Sequence, residues 1–531
     1  MVTTIQTMVL LLIVIAAVAV IARRLTIPPA ILLVITGVIL ALIPGLPEIE
    51  LEPKIVLLLV LPPVIYASAV AMSWREFRFN LRPISLLAIG CVIFTTVAVA
   101  AAVHWLVGFS WGAGFVLGAI VSPPDAVAPL SIARRMRLPS RILIILEGEG
   151  LVNDATALIL YRFAVAAVGA GVFSLSHATA TFAAIVVGEL VWGIGVGWLM
   201  LRLRRWVRDP RIEILLSVLT PYIAYWAPQQ LGGSGVLATV TAGLYISWNG
   251  LRLISAATRL QGIFFWDFLI YLIEGLVFLI TGLQARRLSI GAYSITELVL
   301  SVAVVSAVVI VTRFIWMYPA TYIPRLIPAI ARKDPAPPWQ WPFVLASTGV
   351  RGIVSLAAAL AIPFTTQSGA PFPFRDLILF LTFSVILITL VGQGLLLPFI
   401  IRALGLENAG PLERTANRAE EFSARREAIE AALEQLEQIA AESNLPPEVV
   451  DPIRAYQQER KRRVIHRSDG DGGHTKLIEL RDDLELRLIA AERKRINDLY
   501  RAGKLKDEGR RRIERELDLR EAHLANVRAD E

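Results

Sequence analysis

The residues best suited to chemistry in this sequence stand inside long apolar segments. One segment carries Glu149, Asn153 and Asp154, and two others carry Asp125 and Arg351. A charged side chain at the centre of a bilayer costs at least ~2.5 kcal/mol, so each of these groups needs a partner or a task. A buried carboxylate that has no permanent partner can be neutralised either by a proton or by a metal cation. The pattern therefore favours a site that exchanges protons for cations.

These groups fall at similar depths in their segments. At a rise of ~1.5 Å per residue, Glu149 lies ~12 Å and Arg351 ~15 Å from the inner starts of their helices. The same count gives ~14 Å for Asp125, ~15 Å for Glu274 and ~20 Å for Asp154. Four segments thus bring ionisable groups to one layer of the membrane.

One base, Arg351, accompanies several carboxylates in this layer. We expect it to pair permanently with Glu149, whose depth is nearest to its own. Asp154 is then the working carboxylate that exchanges a proton for a cation. Arg313 is expected near the inner end of its helix, where a long side chain can reach the interface.

Arg162 and Glu189 are expected to have a structural role. They stand at similar depths on the outer side, so we expect them to form a fixed pair between helices.

Two of the segments should be broken helices. Asp125 directly follows two prolines, and Arg351 lies between two glycines in the sequence GVRG. Proline lacks a backbone donor and both residue types interrupt helices. The ends of broken helices expose backbone dipoles, which membrane transporters use to hold ions.

Thirteen apolar segments supply the elements that must position these groups, and each approaches the length that a bilayer requires. They begin near Thr4, Ile27, Ile55, Pro83, Trp111, Ile142, Ala180, Ile212, Ser234, Phe264, Thr296, Trp341 and Leu377. The chain is therefore predicted to be an all-α polytopic membrane protein.

Arginine clusters predict the orientation of these spans. They occupy alternate connections, at residues 23–24, 75–82, 134–137, 202–211 and 325–333. By the positive-inside rule these connections are cytoplasmic, which places the N-terminus outside and the C-terminal tail in the cytoplasm. The connection with Arg286 and Arg287 departs from the alternation, so a miscounted span is the alternative.

Charge divides the chain into two parts. Residues 1–404 contain 27 basic and 16 acidic residues, whereas residues 405–531 contain 25 and 28. The first part is predicted to be the transmembrane domain, and the second a cytoplasmic helical tail for regulation or assembly. The composition excludes a soluble enzyme, a disulfide scaffold and a β-barrel porin. The basic excess lies in the membrane part, so no nucleic-acid partner is expected, and no cofactor motif occurs.

Four features of the sequence resemble the sodium/proton exchangers of the cation:proton antiporter-1 family, bacterial NhaP type. They are EGLVND at residues 149–154, Asp125 after SPP, the segment at residues 265–284, and GVRG at residues 349–352. These features occur in the family's order along the whole membrane part.

The resemblance implies inverted repeats with two crossed broken helices, in a core that moves against a dimerisation domain of a homodimer. It implies that Asp154, Asn153 and Asp125 bind Na⁺, and that Glu149 and Arg351 form the ion pair that supports the core. Ser122 and Glu274 are further candidates. Glu274 is interpreted either as an added coupling carboxylate or as a second partner for Arg351.

The predicted function is antiport of Na⁺, with Li⁺ or K⁺ as alternatives, against H⁺. Lipid and a second copy of the chain are the expected partners, in the cell inner (plasma) membrane, and the role is pH and sodium homeostasis. Asn153, where a second aspartate could stand, favours electroneutral one-for-one exchange. The competing hypotheses are a passive cation channel, a membrane-embedded enzyme, and a sensor that acts through its tail.

Overall fold

The computed structural model describes residues 2–529 except 26, 45–51, 171–174, 208, 251–252, 288–292, 367–368, 469–471 and 503. These described residues are largely helical and contain no β-strand, apart from an isolated bridge between Thr365 and Pro371. The chain divides into two compact units, Met1–Pro411 and Leu412–Glu531. The division of roles predicted for residues 1–404 and 405–531 stays a prediction.

The first unit contains twenty α-helices in its described part. The first ten are α1 (Val2–Leu25), α2 (Pro29–Ala41), α3 (Pro53–Ile55), α4 (Leu61–Ala71), α5 (Trp74–Phe79), α6 (Leu81–Ser85), α7 (Val92–Val107), α8 (Trp111–Val121), α9 (Val127–Arg135) and α10 (Ser140–Ala170). The next ten are α11 (Leu175–Val207), α12 (Pro210–Gln230), α13 (Val236–Gly250), α14 (Ala256–Leu283), α15 (Ile295–Tyr322), α16 (Pro328–Lys333), α17 (Gln340–Ser347), α18 (Ile353–Leu360), α19 (Arg375–Leu387) and α20 (Gly394–Ala403).

Short turns of other helical types extend these helices. The π-helical turns Val56–Val60, Leu86–Cys91 and Ile388–Gln393 join α3 to α4, α6 to α7 and α19 to α20. The 3₁₀ turns are Gln284–Arg287, Ile323–Leu326 and Leu406–Asn408. Because each π-helical turn continues the helical path, the two helices that it joins form one longer helix.

Eight stretches of the described residues are long and apolar enough to cross a membrane. They are Gln6–Leu25, Pro53–Ala71, Leu81–Leu106, Ser140–Val168, Thr179–Val207, Ala256–Arg286, Ile295–Leu326 and Arg375–Ala403. Large apolar side chains such as Val191 and Trp198 are exposed, as contact with lipid requires. The all-α polytopic membrane architecture is confirmed, whereas the count of thirteen spans stays a prediction.

Two helices are interrupted, and the interruptions touch. Helix α8 ends at Val121 before α9 begins at Val127, and α17 ends at Ser347 before α18 begins at Ile353. The backbone N–H of Asp125 in the first break donates to the carbonyl of Val350 in the second, at 2.7 Å. The predicted crossing of two broken helices is therefore confirmed, whereas the inverted-repeat relation stays a prediction.

Gly352 permits this close approach. A Cβ atom at Gly352 would lie 1.6 Å from Oδ2 of Asp125, far inside van der Waals contact. The second glycine of the GVRG sequence is thus required because a side chain from the other break occupies the space.

The second unit is built from four amphipathic helices, as predicted for the tail. They are α21 (Ala409–Glu442), which begins just before the unit boundary, α22 (Pro447–Ser468), α23 (Gly472–Arg501) and α24 (Asp507–Ala529). Ile489 of α23 is buried with Leu517 and Leu524 of α24, so these two helices share a small apolar core. Helices α21 and α22 are joined by solvent-accessible ion pairs such as Arg454 with Glu437 at 2.7 Å, which contribute little stability.

Candidate ion-exchange site

A cavity of about 1590 Å³ lies in the membrane unit beside the crossing. Asp125, Asp154 and Glu274 all line it, which brings together three of the predicted site residues. Arg75 and Arg134, from two of the predicted cytoplasmic connections, also line the cavity. The cavity therefore extends from the charged layer to the end of the bundle that carries these arginines.

Asp154 is a half-buried residue within the continuous helix α10. Among the described residues, none forms a hydrogen bond or a salt bridge with its carboxylate, although Asp125 is near enough to interact with it electrostatically. A carboxylate in this position gains its counter-charge from whatever enters the cavity. Both a proton and a small metal cation can neutralise this carboxylate.

Asp125 lies where two helices begin. Its Oδ1 accepts a hydrogen bond from the N–H of Val127, the first residue of α9, at 2.8 Å. Its Oδ2 lies against Gly352, which directly precedes α18. The N-terminal ends of α9 and α18, which carry the positive ends of their helix dipoles, thus both lie beside this carboxylate.

Asn153 and Ser122 form hydrogen bonds at the first break. Asn153 is fully buried, and its Nδ2 donates to the carbonyl of Pro124 at 2.7 Å. Its Oδ1 has no partner among the described residues. The hydroxyl of Ser122 donates to the carbonyl of Ala119 at 3.2 Å. Neither residue lines the cavity. The role of Asn153 as a cation ligand and the place of Ser122 among the candidates stay predictions.

Glu149 pairs with Arg313, so the predicted pair of Glu149 and Arg351 is wrong. Nη1 and Nη2 of Arg313 donate to the two carboxylate oxygens of Glu149 at 2.5 and 2.9 Å. Both side chains are almost completely buried. The expectation that Arg313 reaches the interface is also wrong. Helix α15 continues to Tyr322, which leaves Arg313 ~14 Å inside its end.

Arg351 instead binds backbone carbonyls of the two breaks. Its Nε donates to the carbonyl of Val121 at 2.9 Å and its Nη2 to that of Ser122 at 3.4 Å, while Nη1 donates to Gly349. Carbonyls in the last turn of a helix lack helical partners and carry the negative end of the dipole. Arg351 therefore caps α8 where it is interrupted.

Arg313 caps the C-terminal end of α17 in the same way. In addition to Glu149, it donates from Nε and Nη2 to the carbonyl of Leu345, at 3.2 and 3.0 Å. Each broken helix thus has an arginine at its C-terminal end. The sequence could have indicated that Arg313 is buried, because this residue stands well inside its apolar segment and not at the end. Thr389, whose hydroxyl accepts from the N–H of Arg351 at 3.0 Å, carried no such signal.

Arg162 and Glu189 do not form the predicted direct pair. Nη1 of Arg162 donates to the carbonyl of Gly233 at 2.5 Å. Glu189 accepts from the N–H groups of Ser234 and Gly235 at 2.6 and 3.0 Å. The two side chains therefore bind backbone groups of the same loop, before α13.

Comparison with known proteins adds an independent observation. The family described as the transmembrane sodium/hydrogen exchanger family matches residues 9–403. The chain belongs to the sodium/hydrogen exchanger family. The predicted class, a cation/proton antiporter and not an enzyme, is confirmed.

Individual relatives of this exchanger extend the match. A protein of Mycobacterium tuberculosis described as an uncharacterized Na⁺/H⁺ exchanger is 35% identical over 514 residues, which cover 94% of this chain and 92% of that protein. The sodium, potassium, lithium and rubidium/H⁺ antiporter of Bacillus subtilis is 33% identical over 388 residues, which cover 70% of this chain and 58% of that protein.

A solved structure supports the fold of the exchanger. The sodium proton antiporter MjNhaP1 of Methanocaldococcus jannaschii has a TM-score of 0.60 at 18% identity, with 76% of this chain and 98% of that chain covered. At this level of identity the similarity concerns the fold alone.

Proposed function

We propose that this exchanger moves one Na⁺ out of the cytoplasm for each H⁺ that enters, and that Asp154 binds the two ions in turn. The observation that carries this proposal is the position of Asp154 on the cavity wall, without a bonded partner among the described residues. Proton and cation cannot both neutralise one carboxylate, so each must leave before the other binds. This competition couples the two fluxes.

Charge balance supports one-for-one exchange. The charged groups around the crossing include two buried arginines, Arg313 and Arg351, and three carboxylates, the buried Glu149 and the cavity-lining Asp125 and Asp154. With all three carboxylates ionised the set carries one net negative charge. One Na⁺ or one H⁺ adds the same single positive charge, so the two loaded states carry equal charge whatever the state of Glu274. Because the loaded site crosses with the same charge in both directions, the exchange moves no net charge.

The other site residues have distinct roles in this proposal. Asp125 supplies a second carboxylate to the bound cation, because it lines the same cavity as Asp154. Asn153 fixes the break beside it through the carbonyl of Pro124. Glu274, on α14 in the same cavity lining, attracts cations into the cavity.

We extend the substrates to Li⁺ and K⁺, because a relative at 33% identity is named for exchange of sodium, potassium, lithium and rubidium. The proposed setting is the cell inner membrane, with the N-terminus outside and the tail in the cytoplasm. The functional form is a homodimer embedded in lipid, and its task is pH and sodium homeostasis. The arginine-rich connections support this orientation.

Purified full-length protein in sealed vesicles provides the test. A Na⁺ gradient should drive opposite proton movement in the wild type, and Asp154→Asn should abolish it. Asp376→Asn is the matched control, because Asp376 is exposed and lies outside the cavity lining. Exchange by folded Asp154→Asn would contradict the role of Asp154. A sustained current driven by Na⁺ would contradict one-for-one stoichiometry.

A further inference from the structure

A cluster of three arginines around one aspartate lies away from the ion-exchange site. Asp334, in the connection before α17, contacts Arg82 of α6, Arg141 of α10 and Arg325 of the turn after α15. The Arg141 and Arg325 contacts measure 2.7 and 2.8 Å. We call these four residues the Asp334 cluster.

The Asp334 cluster lies at one end of the membrane unit. Arg82 and Arg141 stand at the starts of two apolar stretches, Leu81–Leu106 and Ser140–Val168, and Arg325 stands at the end of a third, Ile295–Leu326. Because all three arginines reach the same aspartate, these three helix ends share one face of the membrane. The cluster therefore lies at the level of the lipid headgroups.

The cluster has more positive charge than its own carboxylate can balance. Three arginines and one aspartate leave a net charge of +2. Arg82 and Arg141 keep 28% and 20% of their side chains exposed, whereas Arg325 keeps 8%. Among the described residues, Nε and Nη1 of Arg82 have no acceptor. An anion that approaches from the membrane surface would find donors directed by a fixed aspartate.

The surroundings of the cluster are apolar and open. Phe79, whose ring lies 5.6 Å from the guanidinium of Arg141, is 62% exposed. Beside Arg325, Leu326 and Ile327 are 79% and 55% exposed. A water-soluble anion would leave these apolar side chains uncovered, whereas the glycerol and upper acyl groups of a lipid would cover them.

A path for acyl chains leads away from the cluster. Helices α7 and α15 pack against each other, with the rings of Phe94 and Trp316 5.2 Å apart, and Nε1 of Trp316 donates to the carbonyl of Leu86, in the turn before α7, at 2.9 Å. Apolar side chains on both helices remain exposed, including Ile93 and Val97 on α7, and Val311 and Ile315 on α15. Ile93 and Ile315 lie ~15 Å along their helices from Arg82 and Arg325, so these side chains stand deeper in the bilayer than the cluster.

We propose that the Asp334 cluster binds the phosphate group of an anionic phospholipid, whose acyl chains lie along α7 and α15. Arginine forms strong charge-assisted hydrogen bonds with phosphate, and basic pockets between helix ends are suited to lipid headgroups. The bound lipid joins α6, α10 and α15. Helix α10 carries Asp154, so the lipid stabilises the helix on which exchange depends.

Native mass spectrometry of the full-length protein in detergent tests this site. We expect several-fold more bound phosphatidylglycerol than phosphatidylcholine with the same acyl chains. The double variant Arg82→Gln, Arg141→Gln should reduce phosphatidylglycerol to the phosphatidylcholine level. Arg402→Gln is the control, because it removes an exposed arginine from another helix end and should leave the excess intact.

A second measurement needs no variant. Phosphatidylglycerol should raise the melting temperature of the wild-type protein, and phosphatidylcholine should not. Equal binding of the two lipids, a phosphatidylglycerol excess that survives in the double variant, or an equal loss in Arg402→Gln would overturn the proposal. If inorganic phosphate alone raises the melting temperature as much as phosphatidylglycerol does, the cluster binds a free anion and the lipid assignment is wrong.

Discussion

The buried pair of Glu149 and Arg313 can be tested by removing each partner. Arg313 donates two hydrogen bonds to Glu149 and two to the carbonyl of Leu345. The two charged side chains are only 2% and 3% exposed, so water cannot replace a lost partner. The variants are Glu149→Gln and Arg313→Met, which retain the approximate volume of each side chain.

Each single change leaves one charge buried without its partner, which costs about 3–5 kcal/mol of unfolding free energy. Arg313→Met should lie near the upper end of this range, because the carbonyl of Leu345 also loses its donors. Glu149→Gln should lie near the lower end, because Arg313 keeps that carbonyl. The double variant leaves no stranded charge, so its loss should be smaller than the sum by about 2–3 kcal/mol.

Pulse proteolysis of the four proteins in mild detergent measures these free energies. The control cycle combines Glu149→Gln with Arg351→Met. No hydrogen bond joins that pair among the described residues, so we expect a coupling energy below about 1 kcal/mol. Additive losses in the first cycle, or stronger coupling of Glu149 to Arg351 than to Arg313, would refute the pairing.

Other positions in the membrane unit give simpler tests. Gly352→Ala places a Cβ atom against Asp125, so vesicle assays should show loss of exchange, whereas Gly188→Ala, with open space around it, should leave exchange intact. Burial raises the pKa of Asp334, but hydrogen bonds and charge from its arginine partners outweigh burial and hold that pKa below 3.8. Asp334→Asn should therefore cost about 1–3 kcal/mol at pH 7. This difference should shrink as the pH falls below the ordinary pKa of aspartate and vanish once Asp334 is protonated in the folded protein, which unfolding measured over a descending series of pH values would reveal. Finally, a higher cytoplasmic proton concentration should raise the apparent KM for Na⁺ in initial-rate assays, since both ions compete for Asp154, and a fall in maximal rate alone would contradict that competition.

Local chemistry determined the broken helices, and so the sequence predicted them. The prolines before Asp125 remove backbone donors wherever the segment lies, and the glycines around Arg351 lack side chains in any fold. The apolar lengths similarly determine which segments can cross a membrane. A count of helix rise then assigned Asp125, Asp154 and Glu274 to one layer, and all three line one cavity.

The partners of the buried charges were decided only by the tertiary structure. Helix rise gives the height of a residue along the membrane normal, but it does not give the direction in which the side chain points. Arg313 and Arg351 are both within the membrane layer, and packing turns one toward Glu149 and the other toward the end of α8. Glu189 likewise binds the loop before α13 because that loop folds back over it. The sequence therefore determined the common layer of Asp125, Asp154 and Glu274, although it misplaced Arg313. Helix packing determined which buried groups meet, because contact depends on the rotation of each helix about its axis and on its neighbours.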